Sequence, residues 1–259
     1  MLRSSLLVGA ALSAFVACQL PGTGGETVEV QWRFRSAVET DGPVLVDTIG
    51  SDPWQVEILE AKLLLGPVYG FAPPRTAFRF SDLIGPSTAH AHAGDDNTLS
   101  ERVVSELLNQ VAVDLLDPAP RMLEPALAEA GPLASMNVLF DEARFDNATE
   151  SGPTRGGHAL LRGIARRGDD EVRFVAVLGE TIPDDRIARR LESLPVGGEL
   201  AEGSTIELRA DPRAWVRQMR FDDFVGQEGE VFVEEPSQLH NAWYLGLRDP
   251  AGWDARVVD

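Results

Sequence analysis

The chain has 259 residues, of which 44% are hydrophobic and 25% are charged, the composition of an ordinary globular protein. It carries 23 Lys and Arg against 41 Asp and Glu, a formal net charge of −18. That balance argues against a protein that binds nucleic acid or anionic membranes through basic patches. A single cysteine excludes an internal disulfide and a cysteine-based zinc site.

The amino terminus predicts an export signal. Arg3 supplies a positive charge, and the apolar run after it is about a dozen residues long, shorter than the ~20 that a membrane-spanning helix needs. The run ends in Phe15-Val16-Ala17-Cys18, which resembles the lipobox of bacterial lipoproteins. The resemblance implies that residues 1–17 are a lipoprotein signal peptide and that Cys18 is lipidated after cleavage. Gln19, rather than Asp, follows the cysteine, which implies the outer membrane of a Gram-negative cell.

The residues after Cys18 predict a tether and then one domain. Residues 18–26 are rich in glycine, as in flexible linkers that hold a domain away from a surface. Several acyl chains bind a membrane firmly, whereas one chain binds it only marginally. Residues 27–259 show no internal repeat and no change of composition, so they predict a single domain.

Alternation of apolar and polar residues predicts that strands dominate this domain. It is clearest in residues 27–35. Residues 54–65 form the longest apolar stretch, and their apolar positions change face after Ile58, as a β-bulge or burial on both faces would produce. A β-hairpin is predicted at residues 157–178, with its turn at 168–170. Further strands are predicted at residues 44–49, 134–140, 205–210, 215–221, 230–233 and 243–247.

Three segments interrupt this pattern with helical features. Residues 98–111 begin with a capping box and have apolar residues at every fourth position, and residues 183–194 begin with acidic residues. Pro125 suits the first position of a short helical turn over residues 125–130. Before them, residues 71–97 predict a long loop. We therefore expect a mainly β fold, a single β-sandwich of Ig-like or jelly-roll-like type with one or two short helical insertions; α+β is the alternative.

The densest group of candidate metal ligands lies in the predicted loop. In an extended segment residues i and i+2 point the same way, so His90 and His92 could bind one cation, with an oxygen ligand from Asp95. His158 and His240 are the other histidines that could complete the site. Imidazole and carboxylate suit copper or zinc. The alternative is a solvated loop whose histidines bind nothing.

No motif in the sequence predicts catalysis. The G-x-S-x-G elbow, the phosphate-binding loop, the H-E-x-x-H zinc motif and the C-x-x-C pair are all absent. Acidic residues occur in adjacent pairs, but neighbours on a strand point to opposite faces and do not form a catalytic dyad. We therefore expect a protein that is not an enzyme. An envelope hydrolase, with a triad assembled from distant residues, is a further alternative.

Two sets of segments resemble known families. Residues 54–69, 89–94 and 113–116 together resemble a group of lipoproteins from Gram-negative bacteria, over roughly residues 54–145. Asp211-Pro-Arg-Ala-Trp215 and Met219-Arg-Phe-Asp-Asp223 are similar in layout to the methanobactin-associated periplasmic copper-protein domain. That domain is an exported, β-rich copper binder, so the resemblance favours copper as the ion at His90 and His92.

The sequence therefore predicts a lipid-anchored, non-enzymatic envelope protein that binds a ligand, with a metal ion such as copper as one candidate. It predicts no nucleic-acid partner. The alternative is an interaction lipoprotein that docks on an envelope protein through its acidic surface. Convergence of the four histidines would favour the metal ion, and an exposed apolar patch of several hundred Å² would favour the protein partner.

Overall fold

The structure is a computed structural model that describes residues 25–39, 42–73, 102–140, 154–155, 157–178, 190–234 and 237–258. The predicted signal peptide, most of the predicted tether and most of the predicted loop at residues 71–97 lie outside the described residues. So do four predicted site residues, which are Cys18, His90, His92 and Asp95.

The described residues form mostly strands. The strands are β1 (Thr27–Ser36), β2 (Val44–Asp47), β3 (Gln55–Leu65), β4 (Val68–Phe71), β5 (Val103–Leu107), β6 (Val111–Asp114), β7 (Arg121–Glu129), β8 (Gly131–Pro132), β9 (Ser135–Leu139), β10 (Ala159–Arg167), β11 (Asp170–Leu178), β12 (Arg190–Gly197), β13 (Glu199–Leu200), β14 (Thr205–Ala210), β15 (Glu230–Val233) and β16 (Trp253–Val258). The α-helices are α1 (Arg213–Val216) and α2 (Gln238–Leu247), and short 3₁₀ turns lie at Asp222–Phe224 and Pro250–Gly252.

Eight of the strands close into a barrel. Their order is β1-β14-β16-β12-β9-β4-β5-β7, and β7 pairs with β1 to complete the circle. The β1–β14 and β12–β16 pairs are parallel, and the other neighbours are antiparallel. Along β1 the side chains alternate between the core and the outer surface, as predicted: Val30, Trp32 and Phe34 are buried, and the residues between them are half-buried.

A second, open sheet packs on the same hydrophobic core. Its order is β15-β11-β10-β3-β2, with β6 also paired to β3, while β8 and β13 form a small separate ladder. The predicted hairpin is confirmed as β10 and β11, which are joined by a turn at Gly168 and Asp169. Buried side chains from Val28 to Ala255 belong to one continuous cluster.

The predicted change of face in residues 54–65 is confirmed as a β-bulge. Arg162 of β10 lies opposite Glu60, but the next residue, Gly163, lies opposite Ile58, so Leu59 has no partner in this ladder. The extra residue returns the later leucines to the buried face that Ile58 occupies. A Cβ on Gly163 would lie 2.6 Å from the carbonyl oxygen of Glu57, so only glycine fits opposite the bulge.

The described parts of the predicted helical segments are strands. The first, residues 98–111, contains β5 and the start of β6, and the last five residues of the second, 183–194, belong to β12. Apolar residues at every fourth position lie on one face of a strand, which repeats every two residues, as well as on one face of a helix, which repeats every 3.6. The spacing therefore did not distinguish helix from strand. The three-residue spacing of Leu191 and Leu194 comes from a bulge at which Ser193 has φ of 53°. The turn predicted at Pro125 is part of β7, where the register shifts, as strand prolines require.

Two predicted strands are helical instead. Residues 215–221 hold the end of α1 and the turn after it, and residues 243–247 are the last half of α2. Ser237 accepts a hydrogen bond from the backbone N–H of His240 and so caps α2. A Cβ on Gly246 would lie 2.5 Å from the carbonyl oxygen of Ala214, because the two helices pack at their backbones. Strand β16 was not predicted.

The fold class is therefore mainly β, as predicted, with two short helices inserted among the carboxyl-terminal strands. The prediction of a sandwich differs from the structure, since one of the two sheets is a closed barrel rather than an open face. Closure depends on pairing between β1 and β7, which lie far apart in the chain, and alternation alone does not reveal it. Neither helix in the described part of the chain has the length and apolar character of a membrane span.

Candidate functional site

The two predicted metal ligands that the structure describes are core residues. His158 immediately precedes β10, and its backbone pairs with Leu178 and Leu64 at 2.8 and 2.7 Å. His240 lies in the first turn of α2 with its ring edge-on to Trp243, at 5.9 Å between centroids. Their side chains are 1% and 3% exposed. Within the described ranges, no three His, Cys, Asp or Glu side chains form a group that could hold a metal ion. The site at His90, His92 and Asp95 stays a prediction.

A cleft with a volume of about 550 Å³ opens between the end of β1 and the start of β2. We call it the β1–β2 cleft. Its walls are Ala37, Val38, Glu39, Pro43, Val44, Leu45 and Arg213.

The cleft exists because the chain leaves one sheet for the other at this point. Strand β1 belongs to the barrel and β2 to the open sheet, so the two strands diverge. The last bond between this end of β1 and the barrel runs from the N–H of Ala37 to the carbonyl of Ala210, at 2.9 Å. Helix α1 begins just after β14 and places Arg213 at the mouth of the gap.

Arg213 is held in place by Asp211. The Asp211 carboxylate accepts a hydrogen bond from the Arg213 backbone N–H at 2.9 Å and from Arg213 Nε at 2.8 Å. The hydrogen bond to Asp211 raises the pKa of the Arg213 guanidinium above its ordinary value, so this side chain is a permanent cation. The cleft therefore combines two buried apolar residues, Val38 and Val44, with the carboxylate of Glu39 and with an arginine whose charge is paired with Asp211.

Sequence reasoning did not identify this site. Asp211-Pro212-Arg213 was noted only for its resemblance to a copper-protein domain, although an aspartate that accepts a hydrogen bond from the backbone N–H two residues later is a recognisable local signal. No sequence pattern indicated that this segment lies against the end of β1 and the start of β2, because that contact depends on the divergence of two sheets.

A second, smaller opening lies between β5 and β7. These strands meet at Ser105 and Ala128 and then separate, which leaves a groove of about 280 Å³. Leu108 and Leu127 stand on its rim and are 48% and 69% exposed. We call it the β5–β7 groove. Its rim is apolar and acidic, without the fixed cation of the β1–β2 cleft.

Many of the acidic residues are neutralised on the outer face of the open sheet. Arg162 contacts Glu230 and Glu60 at 2.5 and 3.2 Å, and Arg166 contacts Glu57 and Glu171 at 2.8 and 3.1 Å. These contacts pair opposite charges, three of them between neighbouring strands and the Arg162–Glu230 contact across the intervening β11. We interpret this face as a solvated structural surface.

Glu207 is a buried carboxylate on the outer face of the barrel. It lies opposite Arg33 of β1 and Arg256 of β16, with N···O distances of 2.7 and 2.5 Å. Burial, the largest single influence, raises the pKa of Glu207, but the hydrogen bonds and charges of Arg256 and Arg33 together outweigh it and hold the pKa below its ordinary value. Glu207 is therefore ionised at neutral pH and serves to join three strands.

Of these two openings, the β1–β2 cleft is the larger, and its described walls contain one guanidinium and one carboxylate, from Arg213 and Glu39. Comparisons of this chain with models of protein families, with curated proteins and with solved structures found no match.

Proposed function

We propose that this chain is a lipid-anchored, non-enzymatic protein of the bacterial envelope that binds a small ligand in the β1–β2 cleft. The observation that carries the proposal is the cleft itself, whose volume of about 550 Å³ suits a small molecule. Arg213, fixed by Asp211, would orient the ligand, and Val38 and Val44 would cover its apolar part.

The anchor is proposed from the amino-terminal sequence. The lipobox-like segment ends at Cys18, and a glycine-rich stretch separates it from Thr27, where β1 begins. A tether of that kind would let the folded domain stand off the outer membrane while the acyl chains stay inserted.

The absence of a catalytic role is proposed from the residues that form the cleft. Nucleophilic catalysis by serine, cysteine, threonine or lysine needs an adjacent base, and catalysis by carboxylates of the glycosidase kind needs two facing carboxyl groups. The described walls of the β1–β2 cleft hold none of those four residue types, no histidine and a single carboxylate, Glu39.

Native mass spectrometry of the full chain, extracted in detergent from a Gram-negative host, tests the proposal. We expect a polypeptide that has lost residues 1–17, has gained acyl chains at Cys18 and carries a noncovalent small ligand. Ala37→Phe should remove the ligand by filling the cleft. Ala201→Phe, at an exposed turn away from the cleft, should keep it. An intact amino terminus would overturn the anchor, and a parent chain without ligand would overturn the binding function.

The second candidate is an interaction lipoprotein, favoured by the exposed leucines of the β5–β7 groove. In the same extraction, this function predicts a co-purifying envelope protein instead of a small ligand. Leu108→Ser combined with Leu127→Ser should release that protein. A metal ion such as copper or zinc at His90 and His92 is a separate proposed ligand.

A further inference from the structure

Two arginines face each other across a strand pair beside the β1–β2 cleft. In the parallel ladder of β1 and β14, Arg35 lies directly opposite Arg209. Both residues are half-buried on the outer side of the barrel. Ala37, which lines the cleft, comes two residues after Arg35, just beyond the end of β1 at Ser36.

Two carboxylates lie close to this pair in the strand register, and neither forms an ion pair with it. Glu207, two residues before Arg209 in β14, is engaged by Arg33 and Arg256. Asp254 is the register partner of Arg209 on β16, but it is exposed. Across the described part of the chain, neither Arg35 nor Arg209 has a carboxylate within ion-pair distance. The Nε of Arg209 is buried and donates no hydrogen bond to any described residue.

Such an arrangement is costly unless something else completes it. Like charges directly opposite each other on neighbouring strands destabilise a sheet. A buried N–H group without an acceptor adds a further cost. A ligand with a negatively charged oxygen between the two guanidiniums would reduce both the charge repulsion and the cost of the buried N–H. It would screen the repulsion and accept the hydrogen bonds.

We infer that Arg35 and Arg209 form an oxyanion subsite, which takes the phosphate or carboxylate group of the ligand whose body occupies the β1–β2 cleft. Guanidinium groups bind such oxyanions with two parallel hydrogen bonds, in a planar geometry that lysine cannot supply. The placement of the rest of the ligand in the β1–β2 cleft rests on the proposed function. Binding of the oxyanion itself depends only on the two arginines.

Inorganic phosphate is the first probe, and the Nε–Hε NMR signals of the ¹⁵N-labelled full chain are the readout. The chemical shift of the Arg209 signal should change as phosphate is added and should reach a plateau at saturating phosphate. Arg35→Gln and Arg209→Gln should each weaken phosphate binding about tenfold or more, the loss of at least one strong interaction. The control is Arg173→Gln, on the outer face of the open sheet, which should change binding less than about twofold.

Thermal unfolding separates binding from a merely structural role. Arg209→Gln should unfold at the same or a higher temperature than the parent chain without phosphate, because it removes a repulsion. Phosphate should raise the unfolding temperature of the parent and not that of the variant. Equal stabilisation of both chains by phosphate, or binding of neither phosphate nor phosphatidylglycerol by the parent, would overturn the inference.

Short-chain phosphatidylglycerol, as a second probe, identifies the source of the oxyanion. Binding of free phosphate would identify the ligand as a soluble acid. Binding of the lipid but not of free phosphate, with loss of lipid binding in Arg209→Gln, would identify it as a lipid headgroup. Either result supports the subsite. If Arg209→Gln keeps the ligand that co-purifies with the parent, the subsite is wrong and the proposed function stands. If phosphate binds through the arginines while the cleft of the parent holds no ligand, the subsite stands and the proposed function is wrong.

Discussion

Glu207 illustrates how a single buried charge can support the barrel. Its pKa is held below the ordinary value, so folding favours the ionised carboxylate. The resulting stability is present above the pKa of the unfolded residue, about 4.3, and is lost as the pH falls through the lower folded value.

Replacement of this carboxylate should therefore be costly only while it is ionised. We expect Glu207→Gln to lower the free energy of unfolding by about 1–3 kcal/mol at neutral pH, since two guanidiniums lose a charged partner. The difference from the parent should shrink below about pH 4, where the parent carboxylate also becomes protonated. Urea unfolding at both pH values measures it.

Glu171 is the matched control for this experiment. It also contacts two arginines, Arg166 and Arg173, but its side chain is 41% exposed. Solvent screens such pairs, so Glu171→Gln should cause a much smaller loss of stability. An equal effect of Glu207→Gln at neutral and acidic pH would show that shape, rather than charge, explains its contribution.

The predicted histidine site is tested at the level of single side chains as well. If His90 and His92 bind copper or zinc, the purified full chain should retain the metal after incubation with excess and buffer exchange. His90→Ala/His92→Ala should retain none, because both imidazoles would be lost. Elemental analysis measures this, with His158→Gln as a comparison for a buried histidine. An absence of metal in the parent chain would remove the metal hypothesis.

Among the elements, β3 gives the sharpest prediction. Leu59 is the extra residue of its bulge and is 41% exposed. Deletion of Leu59 would leave Ile58 opposite Gly163 and Glu60 opposite Arg162, so the ladder would become regular with the same residues buried. We expect this variant to unfold cooperatively within about 1–2 kcal/mol of the parent. Urea unfolding measures the difference.

Deletion of Glu57 from the same strand is the contrasting variant. Val56 would take the outward position of Glu57, and Trp54, which is buried, would be pulled out of the core. The expected loss is about 3–5 kcal/mol, as for removal of large core side chains. If the Leu59 deletion were as damaging as this one, the bulge would be a required feature of the sheet.

The elements also show where sequence patterns are reliable. Strict alternation over residues 27–35 identified β1, and two such runs around Gly168 identified the hairpin. Patterns with a spacing of three or four were misleading, because β12 reproduces them with a bulge at Ser193. The aromatic residues in α1 and α2 suggested strands, although tertiary packing of the helices decides their conformation.

At the scale of the whole molecule, the distribution of charge is more informative than its total. The net charge of −18 made a basic site the least expected feature of this chain. The open sheet pairs several of its acidic residues with arginines, whereas Arg35 and Arg209 meet on the barrel with no described carboxylate at ion-pair distance. Composition could not indicate this, because the two residues are far apart in the sequence and become neighbours only when β14 pairs with β1.

The sequence by itself determined the mainly β class and the change of face in β3, and it predicts an export signal, because each depends on residues close together in the chain. The tertiary structure decided the closure of the barrel, the β1–β2 cleft and the meeting of Arg35 with Arg209. These features depend on strand pairs and loop positions that join distant segments. Local propensities do not encode such pairings, since they follow from which buried faces fit together in one core.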